Sequence, residues 1–123
     1  MARFVQVIGA GEVLVPRVRW CADPICRLVG LQFRRRLDPD TGLVLVYPGN
    51  TVAGATIHMF FVFFPLGVVW VNHANQVVDK VLAKPWRPYY APSAPARYIL
   101  ETEPQILTKI ELGGELNFVD LPA

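Results

Sequence analysis

Few side chains in this chain combine a reactive type with a telling spacing. Arg27 and Arg34 are seven residues apart, about two helical turns, so on a helix they share a face. Two cations on one face form an anion-binding patch, with His58 as a further contact. The competing reading is a solvated face whose arginines pair with acids from a sheet. Glu101 follows the apolar pair Ile99 and Leu100, and a charge in such a strand seeks a partner. An ion pair from Arg27 or Arg34 to Glu101 is therefore the favoured reading. His58, between Ile57 and Met59, suits an acid, a base or a hydrogen-bond anchor near pH 7. A lone histidine on an apolar strand is more commonly a satisfied core residue. Trp86, Arg87, Tyr89 and Tyr90 lie beside Lys84 in a Pro-rich stretch, and aromatics and arginine dominate interface hot spots. Their plainer role is to cover the open end of a small barrel.

Nucleophile signatures are missing. No Ser-His-Asp or Cys-His arrangement can be read from spacing, and Gly9-Ala10-Gly11 lacks the third glycine and the helix of a dinucleotide fingerprint. Cys21 and Cys26, five apart, fit neither a C-x-x-C redox pair nor a metal knuckle. A zinc site would need both cysteines to converge with His58 and His73, so no metal and no cofactor are expected. Cys26 falls in a first helical turn, where a thiolate is favoured. The expectation is two small thiols in a reducing cytoplasm.

The elements that must position these residues come from one domain, residues 1–123, with 53% hydrophobic and 18% charged residues. A net charge of +2 excludes a strongly basic polyanion binder, so no nucleic-acid partner is expected. No Asp, Glu, Lys or Arg occurs between Thr41 and Val78, yet the longest strictly apolar run, Met59 to Val71, is broken by Pro65 and Gly67. A spanning helix needs roughly 20 apolar residues, so no membrane span is expected. The start has no extended apolar region of a signal peptide.

Strands are expected at 3–8 and 12–20, with Pro16 marking an edge or a bulge. Asp23-Pro24 opens the one clear helix, about residues 23–36, with Ile25, Leu28, Val29 and Phe33 as its apolar stripe and Arg34, Arg35 and Arg36 closing it. Further strands are expected at Leu43–Tyr47, Ile57–Phe64, Val68–Asn72, Gln76–Lys84, Arg97–Glu101 and Glu115–Val119. The two apolar runs, Ile57–Phe64 and Val68–Asn72, read as neighbours in one sheet. A short helix is expected at Glu103–Lys109.

Four segments in this order resemble one family: Arg27-Leu28-Val29-Gly30-Leu31 on to Arg34 and Leu37; Gly42-Leu43-Val44-Leu45-Val46; Ile57 through Asn72; and Tyr98-Ile99-Leu100-Glu101 with Ile110 and Gly113. Together they are similar to the bacterial and archaeal domain of unknown function 192, over about residues 17–118. The resemblance implies an α+β fold, a compact, curved, barrel-like β-sheet with one main helix and short extra helical turns, and it carries no established reaction. The chain departs from the family pattern at Gln32, Gly67, Gly114 and around Thr102-Glu103-Pro104, most notably where Gly67 replaces a usual Asp.

The function expected is a non-catalytic ligand-binding or protein-interaction module with a small molecule or a protein as partner. Its candidate binding residues are Arg27, Arg34, His58, Glu101, Trp86, Arg87 and Tyr90. The alternative is a small hydrolytic or transfer enzyme using His58 and Glu101. Whether His58, Glu101 and an arginine converge in one cleft bears on both.

Overall fold

The computed structural model describes residues 2–122; Met1 and Ala123, the ends of the expected domain, lie outside the described residues. Seven strands form one sheet: β1 Arg3–Gly9, β2 Glu12–Cys21, β3 Thr41–Thr51, β4 Leu66–Val71, β5 Val77–Ala83, β6 Ala96–Thr102 and β7 Asn117–Asp120. Their order across the sheet is β5-β4-β6-β3-β2-β1-β7. All neighbours run antiparallel except β2 and β3, which run parallel and are joined by the segment that carries α1, Pro24–Val29.

The alternation of β-branched residues sorts the side chains onto two faces. One face holds Val5, Val7, Val18, Val44, Val46, Val69, Val71 and Leu100 under Ile106, Ile110 and Leu116. The other holds Leu43, Leu45, Val68, Trp70 and Ile99 under Leu31, Ile57, Met59 and Val62. β4 is buried at all six positions, as its unbroken apolar run requires. Pro16 falls where two residues of β2 oppose Gln6 alone, between the Val5–Val18 and Val7–Val15 pairs. It marks a bulge, and β2 is an inner strand rather than an edge.

Three expectations are corrected. The sheet is open, not barrel-like: β5 and β7 are its edges, and among described residues a single bridge, Gln76 to Glu115, joins the segments beside them. The fold is dominated by sheet, and the main helix expected over 23–36 is only Pro24–Val29. Gly30 ends it, with φ +52° and its N–H donated to the Cys26 carbonyl. None of its residues is buried, and Ile25, Leu28 and Phe33 are exposed instead of forming a core stripe. Asp23 does cap it, accepting from the Cys26 N–H at 2.8 Å.

Finally, Ile57–Phe64 is no strand beside β4, whose neighbours are β5 and β6. Its backbone bonds go to the Pro-rich loop: Ile57 and Tyr90 exchange N–H···O bonds, Met59 N–H donates to Arg87 and Trp86 N–H to Met59. Phe61, at φ +59°, breaks the extended path.

Candidate functional site

Glu101 occupies β6 directly between Leu43 of β3 and Val68 of β4. Both neighbours are buried and apolar, so the sheet offers its carboxyl nothing to bond. The residue is 5% exposed and has no hydrogen-bond or ion-pair partner among the described residues. No sealed polar side-chain atom in the described residues is unpartnered, so the carboxyl opens onto the cleft in front of it. Burial alone pushes the Glu101 carboxyl up to about 7.

That cleft has a volume of about 310 Å³ and lies between α1 with its following loop and the segment 56–62. Gly30 faces the carboxyl: a Cβ built there would lie 4.0 Å from Glu101 Oε1. Tyr47, two residues beyond Leu45 on the same face of β3, adds a phenol. Its pKa is raised, by desolvation first, then lowered by the Arg27 charge and raised by that of Glu101. Leu28, Val29, Met59 and Val62 supply apolar walls.

Of the sequence candidates, Arg27, His58 and Glu101 do line this one cleft. The expected ion pair to Glu101 is absent. Arg27 Nη1 instead donates to the carbonyls of Ala22 at 2.7 Å and Val46 at 2.9 Å, and its guanidinium lies 4.8 Å from the Tyr47 ring centre. Those carbonyls sit at the end of β2 and in β3, so Arg27 ties the helix to the sheet by backbone rather than by charge. Arg34 lies beyond the end of α1, shares no helical face with Arg27, and lines a separate groove with Arg17 and Arg19. His58 is exposed at the rim, its Nδ1 accepting from the Phe60 N–H at 3.2 Å; it is not a core residue.

The aromatic loop divides. Tyr90 is half-buried and its hydroxyl accepts from the Lys84 N–H at 2.9 Å, holding the loop in place. Trp86 and Arg87 are exposed outside the cleft. Cys21 and Cys26 are bonded to each other, which corrects the reading of two free thiols: the end of β2 and the first turn of α1 bring their Cα atoms to 5.5 Å. Neither sulfur is then available as a nucleophile. Gly67 has no room for a side chain, since a Cβ would meet Ile106 Cγ2 at 2.5 Å and the Glu103 carbonyl at 2.9 Å. It is not part of the cleft lining, so the Asp usual in the family is not missing from this site.

Tyr47 was not singled out in the sequence, and Gly30 and Gln32 entered only through the family pattern, not as site residues. Strand parity with Leu43 and Leu45 is enough to place Tyr47 on the Glu101 face; the turn that brings Gly30 over the carboxyl has no such signal.

An open seven-stranded sheet with a partnerless carboxyl at the base of a loop-walled cleft defines the class of domain. The chain belongs to the domain of unknown function 192 family, described as an uncharacterised ACR family, whose profile matches residues 5–118. It is 34% identical over 113 residues to UPF0127 protein PF1050 of Pyrococcus furiosus, covering 90% of this chain and 94% of that one. A UPF0127 protein of Thermococcus sibiricus is 32% identical, covering 88% of this chain and 70% of the relative. A Sinorhizobium meliloti crystal structure, provisionally assigned as a transcription regulator, superposes with a TM-score of 0.81 at 21% identity over 96% of this chain and 94% of that one. A Novosphingobium aromaticivorans protein of unknown function gives 0.80 at 21% identity, covering 93% and 83%. At that identity the likeness shows the shared fold alone.

Proposed function

We propose that the chain is a binding module for a small polar molecule held in the Glu101 cleft. One observation carries this: a carboxyl almost wholly buried, without a protein partner, whose oxygens open onto the cleft. Buried polar groups are ordinarily satisfied, and one left open at a cavity is satisfied by what enters it. The cleft is near the lower bound of small-molecule sites, so it takes a compact ligand. Below pH 7 the neutral carboxyl donates one hydrogen bond and accepts another, while the Tyr47 phenol adds a second polar contact.

A second reading rests on the same residue. A carboxyl whose pKa is raised to about 7 suits general acid–base work, with His58 at the rim as its complement. The Cys21–Cys26 bond leaves that enzyme without a thiol nucleophile, and binding without chemistry is therefore favoured. The bond also suits an oxidising compartment better than the cytoplasm.

A thermal-shift panel of compact hydroxyl, amide and carboxyl compounds at pH 6 tests the proposal, since a ligand that binds only the folded state raises its stability. The expected result is a saturable shift with wild type that is lost with Glu101→Leu. A shift that persists in Glu101→Leu places binding elsewhere and contradicts the proposal.

A further inference from the structure

Beyond the cleft the surface carries a second feature. Phe33, Phe61, Phe63 and Trp86 are between 43% and 66% exposed and touch one another. Phe33 stacks on Phe61 with ring centres 4.9 Å apart, and Trp86 meets Phe61 at 5.1 Å and Phe63 at 5.9 Å. Three separate loops build the cluster. The Phe33 N–H donates to the Phe61 carbonyl, and the Trp86 N–H to that of Met59. Phe33, Phe61 and Trp86 all have positive φ, at +66°, +59° and +67°, a conformation bulky residues rarely adopt. A fold that holds three aromatic side chains in this way, pointing to solvent, presents them to something apolar.

The charges around the cluster say what that is. The three segments 24–37, 51–64 and 84–92 contain Arg27, Arg34, Arg35, Arg36, Lys84 and Arg87 and no Asp or Glu. Leu31, a wall of the Glu101 cleft, also borders the neighbouring groove lined by Arg17, Arg19 and Arg34. At the ends of the first segment, Asp23 caps the helix, and Asp38, which also lines that groove, lies 4.0 Å from Arg36. The apolar groups themselves offer almost no hydrogen bonds, only the Trp86 indole N–H and the hydroxyl of exposed Tyr89. Protein interfaces carry about one hydrogen bond per 100–200 Å². A lipid interface needs apolar bodies, a few polar-tipped aromatics and surrounding cations.

We propose that this face docks peripherally on a membrane surface rich in anionic phospholipid headgroups, inserting Phe61, Phe63 and Trp86 among the acyl chains while the arginines meet the phosphates. This inference does not depend on the ligand of the cleft.

Co-sedimentation with phosphatidylcholine vesicles, pure or containing about one-third phosphatidylglycerol, tests it at low salt. Wild type is expected to bind only the anionic vesicles. Trp86 fluorescence should shift to the blue, since Trp70 is already buried and Trp20 packs against Tyr98 and Phe118 on the other face. Arg35→Gln and Arg87→Gln should each weaken binding roughly fivefold. Phe63→Ser and Trp86→Gly should each weaken it about tenfold or more while leaving the melting curve cooperative. The glycine also relieves the positive φ at 86. Absence of binding to the anionic vesicles, or binding that survives both aromatic substitutions, overturns the proposal. So does self-association or capture of an acidic protein through this face without vesicle binding.

Discussion

At Glu101 the sign of a substitution depends on pH. Its carboxyl is raised from 4.5 to about 7 in the folded protein, so the folded state holds the proton more tightly than the unfolded one. Stability from this group is fully present below about pH 4.5 and is lost as pH rises through 7. The loss amounts to about 3 kcal/mol. Glu101→Gln keeps the shape and removes the titration. The variant is expected to match wild type near pH 4.5 and to exceed it at pH 8, as read from urea unfolding at the two pH values. An ion pair with an arginine, as the sequence suggests, gives the opposite sign. The sequence shows a charge in an apolar strand but not what stands opposite it. Leu43 and Val68 are set there by register between strands far apart in the chain. The sequence pointed to Arg27, His58 and Glu101, and the structure brings all three to one cleft; the carbonyls that occupy Arg27 belong to the backbone and leave no trace in residue type.

The strands were legible wherever β-branched alternation and turn residues agree, as in β1, β2, β4 and β6. The helix start was legible from Asp23-Pro24, but its end was not. The arginine run 34–36 looks like a helix terminus, while Gly30 stops the helix four residues earlier. With so short a helix, its anchorage rests on the cap, the disulfide and Arg27. Asp23→Ala should destabilise the domain by about 1 kcal/mol, seen as a lower denaturation midpoint with an unchanged slope. Reducing the Cys21–Cys26 bond, which closes a very short loop, should cost about 2 kcal/mol. It should also loosen α1 from the cleft it walls, so amide exchange at Arg27–Leu31 is expected to speed up more than at β4. Equal acceleration throughout, or none at 27–31, contradicts that role for the bond. The segment 57–64 was misread because its apolar residues have strand composition. Phe60, Phe61 and Phe63 serve a loop surface there while Val62 packs into the core, and composition cannot separate such a loop from a buried strand.

For the molecule as a whole, β4 and β6 are the structural centre, and their side chains pack into both cores. Val69→Asp, on the face opposite Glu101, places a carboxylate at a wholly buried position with no cleft to open onto. It should cost several kcal/mol and leave the protein unfolded or aggregated at neutral pH, as circular dichroism reports. The contrast with Glu101 is one of surroundings, since both sites lie in the same sheet. No helix among the described residues is long and apolar enough to cross a membrane, in keeping with apolar runs that form sheet and loop. The most direct test of the cleft is the titration of Glu101 itself, followed by carbon NMR of its side-chain carboxyl from acid to mildly alkaline pH. A partnerless buried carboxyl gives a midpoint near 7 that moves when a compound from the thermal-shift panel is added. A midpoint near 4.5, unmoved by every such compound, means that Glu101 is solvated or paired, and contradicts the cleft as a binding site.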